Sequence, residues 1–314
     1  MKIFSGSSNK PLAEKTARDL GVEISPLEIF VFPDGERRIR VVDIVVDEKT
    51  VVFQSTSTPP DQNYMELFFI VDALKRSGAS MVTAVIPYLG YERQDHIFRD
   101  GEAVSLEVIV QALQRVGVDK LVAFDLHSIK VPELFTIPVL HLSALDLFAQ
   151  KIRESLIINP PAGEAGHKSS EDFVLVSPDM GGIRRIKMLS ETLGNMPYAT
   201  IEKNRDLETG DIKDSSVEGD VAGKTAIIVD DMISTGRTII AAEKILLENG
   251  TKNIFVFATH AVFSGSVTAL LSNSKADKVY VTDTILIPKE KYFDKLEVIS
   301  VSQTIAEGLK SWNA

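Results

Sequence analysis

The sequence predicts an α/β fold built from two tandem domains, each a mostly parallel sheet flanked by helices. Apolar runs of strand length alternate with helical patterns along almost all of the 314 residues, and this alternation is typical of parallel sheets covered by helices. A chain of this length can form two domains that each bury a core. We place them at residues 1–146 and 147–314, with the last segment either in the second domain or packed back on the first.

The predicted elements follow one another in a regular order. The first half reads as strand, helix, strand, helix and strand in VVFQS, YMELFFIVDALKRSG, MVTAVIPY, LEVIVQALQRVG and LVAFDLHS. The second half continues with the strands FVLVSPD and IIVDD, the helix RTIIAAEKILLENG and the strand NIFVFATH. Glycine commonly follows a helix C-terminus, so we expect helices to end at Gly78, Gly117 and Gly250. Residues 51–88 and 226–260 share the order strand, turn, helix, strand, which suggests two related units.

Composition excludes several classes of function. The chain has 34 basic and 44 acidic residues, a net charge of −10, which argues against a general binder of nucleic acid or anionic membranes. It has no cysteine, so disulfide and thiolate chemistry are excluded. The N-terminus lacks an apolar signal core, and no run approaches the ~20 apolar residues of a membrane helix. We therefore expect a cytoplasmic protein with no nucleic-acid or membrane partner.

The segment AIIVDDMISTGRT, residues 226–238, carries the strongest functional signal. Asp230 and Asp231 follow a buried strand, where their carboxylates can accept hydrogen bonds from sugar hydroxyls. The turn after them can direct several backbone N–H groups toward one anion at the start of the next helix. An acidic helix cap is the structural alternative, but it does not explain the adjacent acids or the Thr-Gly-x-Thr pattern. The turn residues are Ser234, Thr235, Gly236, Arg237 and Thr238.

Lys203 and Arg205 lie at the start of a long polar segment, residues 204–223. Two cations two residues apart on an extended segment point the same way, so both can reach one polyphosphate. Ordinary surface charge is the alternative. The polar segment itself is either an active-site flap or a small exposed hairpin, and a closing flap that brings positive charge to a transferring phosphoryl group is a recurrent catalytic device.

Three further motifs contain candidate ligand-binding residues. FPDGE, residues 32–36, reads as a tight turn, or as a base-binding turn in which Phe32 stacks and Asp34 and Glu36 accept hydrogen bonds from an amine. GYERQD concentrates Arg93, Gln94 and Asp95 in a loop after a strand, where ligands of parallel sheets bind; a solvated charged loop is the alternative. His127 in DLHS and Asp179 in VSPDMGG also follow strands, and both are candidate Mg²⁺ ligands if oxygen atoms and waters dominate the coordination.

As a set, these motifs resemble the ribose-phosphate pyrophosphokinase family, also called phosphoribosyl pyrophosphate synthetases. The resemblance extends over nearly the whole chain through FPDGE, QSTSTPPDQNYMEL, VIPYLGYERQD, DLHS, VSPDMGG, VDDMISTGRT, THAVFSG and DTI. It implies two domains of phosphoribosyltransferase type. It also implies transfer of the β,γ-diphosphoryl group of Mg-ATP to the 1-hydroxyl of ribose 5-phosphate, which gives 5-phosphoribosyl 1-diphosphate and AMP.

The resemblance assigns a role to each candidate residue. It implies catalysis by Lys203 and Arg205, and metal binding by His127 and Asp179 with Mg²⁺ as the cofactor. It implies ATP binding by Phe32, Asp34, Gly35, Glu36, Arg93, Gln94, Asp95 and His127. It implies ribose 5-phosphate binding by Arg205, Asp230, Asp231, Ser234, Thr235, Gly236, Arg237 and Thr238. Adenine contacts in this family often cross a subunit interface, so we expect self-association into at least a dimer, with tetramer and hexamer left open.

Two other functions remain open from the sequence. A non-catalytic subunit that regulates an active synthetase is supported by the long segment after Asn159, but it does not explain why Lys203, Arg205 and the acidic pair are all kept. A phosphoribosyltransferase acting on a base accounts for the second half alone and leaves FPDGE and GYERQD unused. Arg237 stands where the family commonly has glycine, and it either adds a phosphate contact or points to solvent.

Overall fold

The computed structural model describes residues 1–97, 99–128, 130–156, 172–205 and 212–313. The chain forms two compact units. Unit 1 comprises Met1–Ser143, Asp283–Leu286 and Ser300–Ala314, and unit 2 comprises Ala144–Thr282 and Ile287–Ile299. The chain thus leaves unit 1 between Ser143 and Ala144, close to the predicted division at residues 146 and 147, and its last helix belongs to unit 1. The loop predicted after Asn159 lies outside the described residues as far as residue 171.

Strands and helices alternate along the chain. In order they are β1 (Lys2–Ser5), α1 (Lys10–Leu20), β2 (Leu27–Val31), β3 (Arg37–Val41), β4 (Lys49–Phe53), α2 (Pro60–Arg76), β5 (Met81–Ile86), α3 (Ser105–Val116), β6 (Lys120–Phe124), β7 (Val139–Leu142), α4 (Leu145–Leu156), β8 (Phe173–Ser177), α5 (Ile183–Thr192), β9 (Tyr198–Arg205), β10 (Ile212–Glu218), β11 (Thr225–Ile233), α6 (Arg237–Glu248), β12 (Asn253–Ala261), α7 (Val267–Ser272), β13 (Lys278–Thr282), β14 (Leu296–Ile299) and α8 (Ser302–Asn313). Short 3₁₀ helices span Val131–Leu134, Met180–Gly182 and Lys289–Lys291.

Unit 1 is built on a parallel sheet with the strand order β1-β4-β5-β6-β7. Its central strands β4, β5 and β6 are rich in Val and largely buried, as expected for a sheet covered on both faces. One face packs on α2 and α3, where Leu67 and Leu113 join the same core as Val52 and Ala84. Helices α1 and α8 pack on each other. Each fully buried Leu or Val contributes roughly 1.5–3 kcal/mol through burial of apolar surface.

A separate antiparallel hairpin of β2 and β3 projects the FPDGE turn. The hairpin pairs from Leu27 with Val41 to Val31 with Arg37, which leaves residues 32–36 as the connection. The Pro-Asp-Gly sequence favours such a turn because Pro presets one backbone angle and Gly accepts a positive φ. The hairpin packs on α2 through β3.

Unit 2 contains a seven-stranded sheet with the order β10-β9-β8-β11-β12-β13-β14. Among the described strands of this sheet, only β9 and β10 pair antiparallel. Successive residues of β11 enter different cores: Ala226 and Ile228 pack with residues of α6 and α7, whereas Ile227 and Val229 pack with residues of α4 and α5. Two layers of helices therefore cover the sheet, and the predicted α/β class is confirmed.

Glycines end several helices in the same way. The N–H of Gly117 bonds to the carbonyl of Gln114, and the following Val118 N–H bonds to that of Leu113. This pair of bonds defines the Schellman motif, which satisfies carbonyls left unpaired at a helix end. Gly78 and Gly250 end α2 and α6 with equivalent bonds, so the predicted ends are confirmed. No helix within the described ranges is long and apolar enough to span a bilayer.

Candidate active site

The acidic pair Asp230 and Asp231 lies inside β11, just before the end of the strand at Ile233. Parallel pairing with β12 continues to Ile233 and Ala261, so the strand runs past the end predicted from the sequence. Asp231 donates its backbone N–H to Asp230 Oδ1 at 2.9 Å. The two side chains are 14% and 7% exposed. The sheet therefore holds both acids in place, and the loop begins only after them.

Arg185 in α5 is the cation nearest this pair in the described part of unit 2. Its Nη1 lies 4.0 Å from Asp230 Oδ1 and 3.9 Å from Asp231 Oδ1. Burial raises the pKa of Asp230 well above its ordinary value, and the Asp231 carboxylate raises it further, whereas the Arg185 charge lowers it. Arg185 is absent from the residues predicted by sequence. Its position in the first turn of the helix after the Gly181-Gly182 turn is the signal that points to it.

The loop after β11 is anchored at its base and open at its tip. Ser264 donates its backbone N–H to the Ser234 carbonyl at 2.9 Å, and the two Oγ atoms lie 3.3 Å apart. Thr235, Arg237 and Thr238 are exposed. These exposed residues surround the start of α6. We call residues 234–238 the phosphate loop, after the ligand predicted for it from the sequence.

Gly236 sets the geometry of the phosphate loop. It occupies the N-cap of α6 in the left-handed region, with φ 76° and no side-chain cap. A Cβ at this position would lie 3.0 Å from Val267 Cγ2 and 3.3 Å from Leu270 Cδ2. The first N–H groups of a helix have no intrahelical acceptor and attract an anion through the helix dipole. The structure therefore places an uncapped helix start shortly after the acidic pair, and the binding of a phosphate there stays a prediction.

Asp179 lies at the end of β8, as predicted, and caps the turn that follows. Its Oδ1 accepts the backbone N–H groups of Gly181 at 2.9 Å and Gly182 at 3.3 Å. Asp179 is exposed, and its negative charge raises the pKa of Asp230. Asp179 therefore belongs to the same acidic region of unit 2 as Asp230 and Asp231.

The two predicted catalytic cations lie at the end of β9. Lys203 pairs with Ser215 and Arg205 with Ile212 in the antiparallel ladder, which contains an irregularity between Ile212 and Asp214. The described ends of the polar segment thus pair as antiparallel strands, as in the hairpin alternative. The side chains of Lys203 and Arg205 and all of residues 206–211 lie outside the described part of the structure, so the catalytic role stays a prediction.

In unit 1, the FPDGE turn is closed by local hydrogen bonds. Phe32 N–H bonds to the Glu36 carbonyl at 2.8 Å, and Asp34 Oδ1 accepts the Glu36 N–H at 3.1 Å. Phe32 is 36% exposed, so its ring is available to a planar ligand. Gly35 and Glu36 line a cavity of about 530 Å³ that is completed by Arg37 and by Asp61, Gln62, Met65 and Phe69 of α2.

Neighbouring residues that the sequence did not single out support this turn. The Phe30 and Phe32 rings meet edge to face at 4.9 Å, and the Arg38 guanidinium lies 5.3 and 5.7 Å from their centroids. Arg37 Nη1 donates to Glu66 Oε2 at 2.6 Å. Glu66 is fully buried, and it also accepts hydrogen bonds from Ser7 and Gln54. The hairpin is therefore tied to α2 through a satisfied buried carboxylate.

The GYERQD loop and the DLHS segment meet in unit 1. Glu92 is 1% exposed, and its Oε2 accepts the backbone N–H of His127 at 3.1 Å. Arg93 and Gln94 are exposed. Asp95 Oδ1 lies 2.6 Å from His96 Nδ1. The residues lining the adjacent cavity of about 590 Å³ are Asp95, His96, Ser128, Lys130, Val131, Glu133 and Leu134.

The predicted site residues thus fall into three groups. Asp179, Asp230, Asp231 and the phosphate loop are grouped in unit 2. In unit 1, Gly35 and Glu36 line one cavity and Asp95 lines another. Among the described residues, no three of His, Asp and Glu are grouped closely enough to form a metal site by themselves.

The grouping in unit 2 suits one kind of ligand. An acidic pair near the end of a parallel strand, followed by a glycine turn and an open helix start, is suited to bind a sugar phosphate.

Family models match both ends of the chain. One described as the N-terminal domain of ribose phosphate pyrophosphokinase matches residues 1–117, and one described as the phosphoribosyl synthetase-associated domain matches residues 195–313.

Relatives match over nearly the full length. Ribose-phosphate pyrophosphokinase 1 of Streptococcus mutans is 37% identical over 98% of this chain and 92% of its own. Ribose-phosphate pyrophosphokinase of Gloeobacter violaceus is 36% identical over 98% and 89%. The crystal structure of phosphoribosylpyrophosphate synthetase from Mycobacterium smegmatis superposes with a TM-score of 0.90 at 34% identity, over 99% of this chain and 98% of that one.

The chain therefore belongs to the ribose-phosphate pyrophosphokinase family, and it is an enzyme of the transferase class. The predicted family, fold class and enzyme class are confirmed. The alternative of a non-catalytic regulatory subunit is not favoured, since the relatives carry the name of the enzyme itself.

Proposed function

We propose that this chain transfers the β,γ-diphosphoryl group of Mg-ATP to the 1-hydroxyl of ribose 5-phosphate, giving 5-phosphoribosyl 1-diphosphate and AMP. The observation that carries the proposal is the grouping of the acidic pair, Arg185 and the open start of α6 in unit 2. That grouping suits a sugar phosphate, and it occurs in a member of the ribose-phosphate pyrophosphokinase family.

Ribose 5-phosphate is assigned to unit 2. Asp230 and Asp231 accept hydrogen bonds from the ribose hydroxyls, and Arg185 balances their charge. The backbone N–H groups of the phosphate loop hold the 5-phosphate. Exposed Arg237 adds positive charge at the mouth of the loop.

ATP is assigned to the loops of unit 1. The exposed Phe32 ring stacks on adenine, while the carboxylates of Asp34 and Glu36 accept hydrogen bonds from its amine. Arg93, Gln94 and Asp95 contact the nucleotide, and His127 lies near its phosphates. The FPDGE turn and Asp95 line different cavities of one chain, which supports an adenine site shared between copies and self-association into at least a dimer. A solution mass equal to one chain would contradict that assembly.

The transfer step depends on alignment and charge. The 1-hydroxyl oxygen of the sugar attacks the β-phosphorus and forms a new O–P bond, and the hydroxyl proton is released to solvent. The bond from the β-phosphorus to the bridging oxygen breaks, and AMP leaves with that oxygen. Negative charge spreads over the transferred group in such reactions, so fixed cations supply most of the catalysis. Lys203 and Arg205 are proposed to provide them. Their effect is greatest in the transition state.

Mg²⁺ fits the donor groups available. In phosphoryl-transfer sites this ion is commonly held by one or two carboxylates, waters and substrate phosphates. Asp179 offers such a carboxylate: Oδ1 is used by the turn, and Oδ2 accepts no hydrogen bond from the described residues. We propose Asp179 as a metal ligand on the ribose side and His127 as a metal ligand on the ATP side. When bound, the ion would neutralise phosphate charge.

A product assay tests the proposed reaction. The purified chain is incubated with ATP, Mg²⁺ and ribose 5-phosphate, and the nucleotides are separated by chromatography. Formation of AMP that requires ribose 5-phosphate supports the proposal. Binding of both substrates without AMP would indicate a regulatory subunit, and turnover only with a base and the sugar diphosphate would indicate a phosphoribosyltransferase.

A further inference from the structure

A cleft in unit 2 lies apart from the residues assigned to either substrate. It has a volume of about 460 Å³ and is bounded by α6, α7 and the residues that follow α7. Its apolar wall is formed by Ile240, Leu247, Ala269 and Leu270. Sites for small molecules are typically apolar and carry a few polar groups that fix orientation.

Glu243 is the buried charged residue among those that line this cleft; Lys244, Glu248 and Lys275 line it as well. The residue is 3% exposed, and its Oε2 accepts the backbone N–H of Lys275 at 3.0 Å. Within the described part of the chain, the other oxygen, Oε1, is buried and has no hydrogen-bond partner. A buried acceptor without a donor is destabilising and uncommon in folded proteins. A ligand that donates to Oε1 would remove this cost.

Two lysines near the cleft contact other groups, whereas Lys275, which lines it, is exposed. Lys295 Nζ donates to the Ser274 carbonyl at 2.8 Å, and Lys244 Nζ lies 3.9 Å from Glu248 Oε1. Burial raises the pKa of Glu243, although hydrogen bonding from Lys275, Ser274 and Ala276 acts in the opposite direction, as does the Lys295 charge. The negative charge of Glu243 is therefore only partly compensated by its surroundings.

We propose that the cleft between α6 and α7 binds a small organic ammonium ion, whose apolar body packs on Leu247 and Leu270 and whose N–H donates to Glu243 Oε1. A hydrogen bond from an ammonium to a carboxylate is charge-assisted and stronger than one between neutral groups. A bare divalent cation fits less well, because it has no apolar body to cover the wall of Ile240, Leu247, Ala269 and Leu270.

Calorimetric titration of the full chain with cyclohexylammonium chloride tests the proposal. We expect saturable binding of one molecule per chain, with a dissociation constant of roughly millimolar for so small a ligand. Cyclohexanol, which has a similar body without the charge, should bind at least about tenfold more weakly. Absence of saturable binding of the ammonium ion would overturn the proposal.

Variants locate the bound ion. Glu243→Gln should weaken binding at least about tenfold, whereas Glu191→Gln, at an exposed position of α5, should leave it unchanged within about twofold. Ala269→Trp fills the cleft without altering the carboxylate, and it serves if Glu243→Gln fails to fold. Unchanged binding in the variants of the cleft, or loss of binding only in Asp231→Asn, would place the ion elsewhere and contradict the proposal.

Discussion

The Arg185 guanidinium lies 3.9 Å from the carboxylate of Asp231, and its distance to Asp230 is nearly the same, 4.0 Å. Within the described residues, this cation thus lies beside two adjacent, largely buried acids. We expect Arg185→Ala to raise KM for ribose 5-phosphate at least about tenfold, because one acid would bind a proton or turn away from its neighbour. Steady-state kinetics with ribose 5-phosphate varied measures this.

Arg184 offers a matched control for that prediction. It precedes Arg185 on α5 but is exposed, so Arg184→Ala should change KM by less than about twofold. Arg185→Lys keeps the charge but loses the planar guanidinium, so we expect an increase in KM between those of the two alanine variants. Equal effects of the two alanine variants would show that Arg185 has no particular role at the acidic pair.

Gly236 should tolerate no side chain. At φ 76° an L-residue is strained, and the added methyl group would lie 3.0 Å from Val267 Cγ2. We expect Gly236→Ala to destabilise the protein by about 2 kcal/mol or more and to weaken ribose 5-phosphate binding. Thermal unfolding and calorimetric titration measure the two effects.

Gly194 offers a control that has the backbone strain of a positive φ without a steric clash of the added Cβ. Its φ is similar, 77°, but a Cβ there meets nothing within 4 Å. Gly194→Ala should cost only about 1 kcal/mol and leave sugar phosphate binding unchanged. If both variants bind ribose 5-phosphate like the wild type, the close fit at Gly236 does not shape a phosphate site.

Asp230 should make stability depend on pH. Its pKa is raised in the folded state, above the ordinary value of 3.8, so the folded protein binds this proton more tightly than the unfolded chain. Its contribution to stability is therefore largest below the ordinary pKa and falls as pH rises through the raised folded pKa. Asp230→Asn avoids that loss, and we expect it to melt about 2–4 °C higher near neutral pH.

In acid, the Asp230→Asn variant should no longer melt at a higher temperature than the wild type. It should also be less active than the wild type. Near pH 4 the wild-type acid is largely protonated when folded, so the two melting temperatures should converge to within about 1 °C. A difference that stays constant with pH would show that charge burial is not the cause. Stability gained at the expense of activity is expected where a site holds a costly charge.

Lys203 should act mainly on turnover. We expect Lys203→Ala to lower kcat by about two orders of magnitude or more, with much smaller changes in KM, because its charge is proposed to stabilise the transition state. Lys252→Ala, at an exposed position at the start of β12, is the control. Near-normal kcat in the Lys203 variant would remove this residue from the mechanism.

Local sequence patterns predicted several features of the fold. The Pro-Asp-Gly turn, the helix ends at Gly78, Gly117 and Gly250, and the alternation of strands with helices are all encoded within short stretches. The sequence also predicted that Asp179 and the acidic pair lie near the carboxyl ends of strands. These strands, β8 and β11, are parallel neighbours in the sheet. Such features depend on local propensity and on the direction of strands.

Features that depend on distant contacts could not be predicted in this way. The strand β11 extends through Asp230 and Asp231 because β12 continues beside it, and nothing within residues 226–233 shows this. Arg184 and Arg185 look equivalent in sequence, and only the packing of α5 brings the second one close to the acids. The return of α8 to unit 1 also depends on long-range packing, including Gly308 against Leu140 and Leu142 of β7.

The most direct test of the proposed reaction is phosphorus NMR of the products formed from ATP and ribose 5-phosphate with Mg²⁺. We predict one AMP for each sugar diphosphate, with the two coupled phosphorus signals of a diphosphate attached to the sugar. ADP with a sugar bisphosphate would show transfer of a single phosphoryl group, and it would contradict attack at the β-phosphorus.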